Sequence, residues 1–240
     1  MDKLDLVMTL RNNPWIFSWR WKQLEKPGLH RRVVRFGDDV VIEGFPRSAN
    51  TFATYAFKQA NAERNLKIGN HFHSPAQFIL AAKFGVPAML VIRAPTDAVL
   101  SFMVFEPTMS AKEGFRRYVA FHKPLIPIQS SFVAVRFDEV ISDFDRGIAR
   151  LNRRFNTDFA PFAHTKARAE ALMGFIETDR ANNASKHPKL LGDEMKEPIP
   201  SRVKKEARSK LKEQIEDVKL VAVRREAEQL YLQIVDGIPR

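Results

Sequence analysis

Cysteine is absent from the 240-residue chain, which excludes disulfide bridges, zinc thiolates and a cysteine nucleophile. This suits a reducing compartment, although exported proteins also do without cysteine. Long apolar runs are missing too. The longest, Phe84 to Ile92, falls far short of the ~20 residues that cross a bilayer and is interrupted by Gly85 and Pro87. The start, Met1-Asp2-Lys3-Leu4-Asp5, leads into no apolar stretch, so no secretory leader is expected. The expectation is a soluble, cytoplasmic protein with no membrane span. Acidic residues are in deficit: 28 Asp and Glu stand against 39 Lys and Arg, a net charge of +11. Such a field favours anionic partners (nucleic acid, acidic polysaccharide, lipid headgroups or a polyphosphate) without choosing among them.

What is present points to a packed domain. Hydrophobic residues make up 45% of the chain, 19 of them Phe. At this length roughly 70% of the unfolded surface can be buried, enough for one core without metal or disulfide. No internal repeat or low-complexity tract occurs. Helices are expected over residues 3–12 and 14–25, ending at Lys26-Pro27-Gly28. Val40-Val41-Ile42-Glu43-Gly44 reads as a buried strand stopped by glycine, and a helix follows from Asn50. Further strands are expected near Leu66 to Phe72, from Pro87 to Ile92 and from Phe132 to Val135. Helices are expected from Pro75 to Lys83, from Pro95 to about Phe105, over 111–123 up to Pro124, and from Asp143 to Phe155. This alternation predicts an α/β fold with a central parallel sheet and helices on both faces. Residues 1–37 read as a helical extension, 38–156 as the core and 157–201 as loop-rich, suited to a lid. Residues 202–240 read as C-terminal helices behind Ser201 as N-cap.

Three segments carry chemistry. Gly44-Phe45-Pro46-Arg47-Ser48-Ala49-Asn50-Thr51 lies between strand and helix with the spacing of a phosphate-binding loop, G-x-x-x-x-G-K-S/T. Ala49 stands at the second Gly and Asn50 at the Lys. The amides at a helix N-terminus still favour an anion, and Arg47 can supply the cation. The plain alternative is a turn capped by Ser48 with Arg47 in solvent. The second segment is Arg93, at the end of the strand to Ile92, with Ser101 about two helical turns later. In an open parallel sheet, ligands bind beyond the strands' carboxyl ends, where Arg47 and Arg93 can face one crevice. Arg93 paired with Asp97 is the alternative. The third is Asn70-His71-Phe72-His73-Ser74-Pro75, where His73 is placed to act as a general base near neutrality. His71 and His73 suit metal ligation only with a third ligand that the sequence does not offer. Either can equally be an ordinary surface or core histidine.

Together these segments resemble the sulfotransferases that use 3′-phosphoadenosine 5′-phosphosulfate. Pro46-Arg47-Ser48-Ala49-Asn50-Thr51 is similar to their P-K/R-S-G-T/N-T motif. Val91-Ile92-Arg93-Ala94-Pro95-Thr96-Asp97, continuing to Ser101, is similar to their second motif. His73-Ser74-Pro75 and Arg136-Phe137-Asp138-Glu139 match two further segments, in order, across residues 38–156. Ala49, Ala94 and Thr96 depart from the family pattern. Its C-terminal basic motif has no clear counterpart unless Arg202, Lys204, Lys205 and Arg208 stand in for it, and these residues also suit a solvated helix face.

The resemblance implies a three-layer, phosphate-loop-like sandwich that moves a sulfuryl group to a small-molecule or carbohydrate hydroxyl, or an amine, without a metal. It implies that the amides of Ser48, Ala49, Asn50 and Thr51 cradle the 5′-phosphosulfate. By the same carry-over, Arg47 neutralises the leaving phosphate, Arg93 and Ser101 grip the 3′-phosphate, and His73 is the base. Two rivals stand beside it. A phosphate-loop kinase is disfavoured by the missing lysine. A catalytically inactive, basic nucleotide- or nucleic-acid-binding protein would use Arg31-Arg32, Arg153-Arg154 and the 202–212 cluster, but no nucleic-acid-binding signature occurs. The acceptor and the oligomeric state are not legible.

Overall fold

The computed structural model describes residues 3–22, 32–186 and 202–238. The expected end of the second helix at residue 25, Arg31, the last part of the loop-rich stretch from residue 187 and the Ser201 cap fall outside them. So do the side chains of Arg202, Lys204 and Lys205.

β-Branched apolar runs build the sheet. Strands β1 (Val40–Gly44), β2 (Ile68–Gly69), β3 (Ala88–Ile92) and β4 (Val133–Arg136) lie in the order β2-β1-β3-β4, all parallel. A parallel sheet is covered on both faces, so its strands, Glu43 in β1 and the terminal Arg136 of β4 apart, are apolar and split their side chains by parity. Val41, Ala88, Leu90, Ile92 and Ala134 enter one core, whereas Val40, Ile42, Met89, Val91, Val133 and Val135 enter the other. Helices fill both layers. Helix α3 (Asn50–Ala60) covers the second core, while α4 (Ala76–Phe84), α5 (Pro95–Phe105) and α6 (Ala111–His122) cover the first. The result is an α/β fold with helices on both faces of a parallel sheet, as the alternation predicts.

The two ends of the chain pack onto these layers. Helices α1 (Lys3–Asn12) and α2 (Pro14–Lys22) meet at Asn13, whose side-chain oxygen accepts from the Trp15 and Ile16 amides at 3.0 and 3.2 Å. Phe17 is buried against the edge of Phe72. After β4 come α7 (Phe137–Ser142), α8 (Phe144–Phe155) and α9 (Lys166–Lys186). Helices α10 (Arg202–Glu216) and α11 (Val221–Asp236) add Ile215, Ala227 and Ile234 to the core beneath α5 and α6.

The structure differs from the sequence expectations at four places. The strand expected over 66–72 is only Ile68–Gly69, because Asn70 instead forms an antiparallel bridge with Arg32. The α-helix expected up to Pro124 does stop, at His122, but the helical winding does not. The chain continues in 3-10 turns, Lys123–Ser131, whose early Pro lacks a donor the first turn does not need. Helix α7 occupies a stretch expected to be a connection. Residues 166–186, expected to be loop, form α9, anchored by Leu172 and Ile176 one turn apart. Among the described residues, no helix is long and apolar enough to cross a membrane.

Candidate functional site

The loop from β1 to α3 is held by two devices. Gly44 lies so close to β3 that a Cβ would stand 2.1 Å from the Val91 carbonyl oxygen, so only glycine fits. Asn50 then folds its side chain back, its Nδ2 donating to the Phe45 carbonyl at 2.9 Å and the Gly44 carbonyl at 3.3 Å. The residue at the phosphate-loop lysine position is therefore a buried staple of the loop. Arg47 (φ 68°) and Ala49 (φ 70°) both take the left-handed conformation. Position 49 thus has the backbone that explains a Gly in the motif. As N-cap of α3, Ala49 supplies no side-chain acceptor, so the first amides of the helix have no side-chain cap. Ser48 is fully buried rather than facing solvent. What this turn can present to an anion is backbone N–H and the positive end of α3.

Beside it the arginines gather. Arg93, at the end of β3, donates from a terminal guanidinium nitrogen to the Arg47 carbonyl at 2.8 Å and lies 4.0 Å over the Phe137 ring. Arg47 places its Nε 3.5 Å from the Ser101 Oγ and its guanidinium over the face of Phe105. The Arg93 carbonyl accepts from the Tyr118 hydroxyl at 2.8 Å, which fixes the end of the strand. Arg208 of α10 pairs with Asp97 on α5. Burial first, then the Arg208 charge, push the Arg93 pKa down to about 10. Arg47 adds to this fall and Asp97 opposes it. Arg47, Arg93, Ser101 and Arg208 thus form one cationic cluster. Its mutual repulsion is what an anion would relieve.

On the other side of the loop stand the histidines. His71 (φ 58°) and His73 (φ 49°) are both left-handed, a strained backbone for residues other than glycine. His71 Nε2 is 3.2 Å from the Thr51 hydroxyl. His73 Nδ1 is 2.9 Å from the Gly44 carbonyl and 3.3 Å from Glu43 Oε1. Glu43 is fully buried in β1. Burial alone would raise its carboxyl. The His73 charge and hydrogen bond, the His71 charge and the Gly44 amide outweigh that and hold it below its ordinary value.

Every site residue picked from the sequence therefore lies in one neighbourhood at the carboxyl ends of β1, β2 and β3. Arg47, Ser48, Ala49, Asn50 and Thr51 form the central turn, with Arg93 and Ser101 on one flank and His73 on the other. Ser48 and Asn50 bring buried side chains to it, and Thr51 is turned to His71. Sequence reading named Phe137 only within the Arg136–Glu139 segment and missed Glu43 and Phe105. Glu43 did leave a signal: a lone carboxylate inside an apolar strand. A groove of about 690 Å³ elsewhere, lined by Leu4, Met8, Asn12, Arg116 and Lys123, contains none of these residues. Compared with known proteins, the chain matches no family model and no curated protein.

Proposed function

We propose that this protein is a sulfotransferase that moves a sulfuryl group from 3′-phosphoadenosine 5′-phosphosulfate to a hydroxyl acceptor. The observation that carries this reading is the meeting of Arg93 with Arg47 across two separate strand ends, 2.8 Å from guanidinium to carbonyl, beside an uncapped helix N-terminus. A ligand with anionic groups at two places suits that layout, and this donor has them. The amides opening α3 would receive its 5′-phosphosulfate, and Arg47 would offset charge growing on the leaving phosphate. Arg93, which spends one of its five donors on the Arg47 carbonyl, would hold the 3′-phosphate with Ser101. His73 would take the proton of the attacking hydroxyl. The donor supplies the activated sulfuryl group; the chain supplies position and fixed charge, with no metal called upon. A kinase reading is weaker, because Asn50 spends its amide on the Phe45 and Gly44 carbonyls.

Ligand-induced stabilisation tests the reading. At about 100 times its dissociation constant, 3′,5′-bisphosphoadenosine should stabilise the fold by about 2.7 kcal/mol. That is on the order of 5–10 °C in Tm for a chain of this length. ATP with magnesium should do much less, and Arg93→Ala should remove the bisphosphate's advantage. An equal response to ATP favours a kinase, and no response to either ligand overturns the proposal.

A further inference from the structure

Glu43 has a surrounding that only a carboxylate satisfies. Its Oε1 accepts from the Gly44 amide at 3.0 Å and faces His73 Nδ1 at 3.3 Å. Its Oε2 accepts from the Phe72 and His73 amides at 2.7 and 3.0 Å. The three amides are obligate donors. An isosteric Gln would have to turn its NH2 group against a donor on one side or the other. An unpaired charge buried this deeply would be very costly, so the four contacts explain why it persists in an apolar strand. Those contacts also hold the Phe72 and His73 amides in a turn where His71 and His73 are left-handed, a strain the surroundings must over-determine.

The same geometry decides which ring nitrogen of His73 holds the proton. Nδ1 faces two acceptors, the Gly44 carbonyl at 2.9 Å and Glu43 Oε1 at 3.3 Å. The competing donor, Asn50 Nδ2, is farther away at 3.5 Å and already serves the Phe45 carbonyl at 2.9 Å. In the neutral ring the proton therefore belongs on Nδ1 and the lone pair on Nε2.

We propose that Glu43 is a positioning residue that holds His73 in the Nδ1-protonated tautomer and so leaves Nε2 as the proton acceptor. The catalytic meaning of this state rests on the sulfotransferase reading; the tautomer itself does not. Glu43 touches neither donor nor acceptor in this role and acts through His73 alone.

The test is imidazole nitrogen NMR of the full chain with ¹⁵N-labelled histidine, in the pH range where the rings are neutral. The His73 signal is assigned by its loss in His73→Gln. The wild-type ring is expected to carry its proton on Nδ1. Glu43→Gln, which replaces an acceptor with a donor, is expected to move a major share of the ring to the Nε2-protonated form. Glu43→Asp, which withdraws the carboxylate by one methylene, is expected to give a mixture. A wild-type ring protonated on Nε2 overturns the proposal even if neither variant folds, and so does an unchanged tautomer in either folded variant. In a transfer assay Glu43→Gln should lower kcat by about 10²-fold or more with little change in KM for the donor. Failure in the NMR arm removes the role of Glu43 and leaves the sulfotransferase reading standing. Failure of the bisphosphate to bind does the reverse.

Discussion

Ala49 holds φ 70° at the first turn of α3, where a Cβ crowds the following carbonyl. That conformation costs an L-residue about 1–2 kcal/mol, and glycine escapes it at the expense of a more flexible unfolded chain. Ala49→Gly should therefore stabilise the protein by about 1 kcal/mol, read as a higher urea midpoint at unchanged slope. A lower midpoint would mean that the methyl group, which packs against the core under α3, is worth more than the strain. The departure at position 49 was legible in the sequence, and so was the departure at 50, but not what Asn50 does. Its donation to Phe45 and Gly44 depends on a turn that no spacing reveals. Glu43 is easy to pass over because a strand pattern weighs its neighbours and treats one polar residue as noise. In a strand covered on both faces, that residue is the informative one.

Among the elements, β1 and α5 match their sequence-predicted bounds, since Gly44 and Pro95 mark an end and a start by backbone chemistry alone. Helix α9 did not declare itself. Among its described side chains the buried ones, Leu172 and Ile176, span a single turn, too short a pattern to set against the loop-rich reading of 157–201. Helix α10 bears on the site more directly than the sequence indicated, because it brings Arg208 to Asp97 and into the field of Arg93. The pair is substantially exposed, 36% for Arg208 and 53% for Asp97, so its contribution to folding is small. Arg208→Ala should therefore leave the urea midpoint nearly unchanged while weakening 3′,5′-bisphosphoadenosine binding by about tenfold in calorimetric titration. The loss should shrink as salt is raised, since an exposed charge acts through a screened field. Equal loss at every ionic strength would assign Arg208 a packing role.

The strand order β2-β1-β3-β4 sends the chain in opposite directions from β1 and β3, and the loop, Arg93 and His73 collect at the carboxyl ends around that switch point, where open parallel sheets bind ligands. That much of the site follows from topology, of which the parallel sheet was legible from the alternation of elements and the strand order was not. The layer beneath the loop was not, and it contains His122. This side chain is fully buried on α6 among the rings of Phe45, Tyr118 and Phe121, with Nδ1 2.9 Å from the Tyr118 carbonyl. Its Nε2 has no partner. Burial pushes its pKa down to about 3, only partly opposed by the Tyr118 carbonyl. In the unfolded chain the ring takes up a proton below about 6.5, whereas in the fold it stays neutral until about 3. Between those values the unfolded state binds the extra proton, so stability is full above pH 6.5 and falls as the solution is acidified. The slope from this ring is about 1.4 kcal/mol per pH unit. Glu43 adds a loss of the same sign only below the ordinary carboxylate range, because its carboxyl is held low. The window from pH 6.5 to 5 therefore separates the His122 contribution from that of Glu43. His122→Leu, which removes the titrating ring and its orphaned nitrogen, should flatten the stability profile there relative to wild type. Urea unfolding at half-unit pH steps measures the difference. Parallel profiles would show that His122 is protonated in the fold, and that the layer under the loop between β1 and α3 is wetter than its packing indicates.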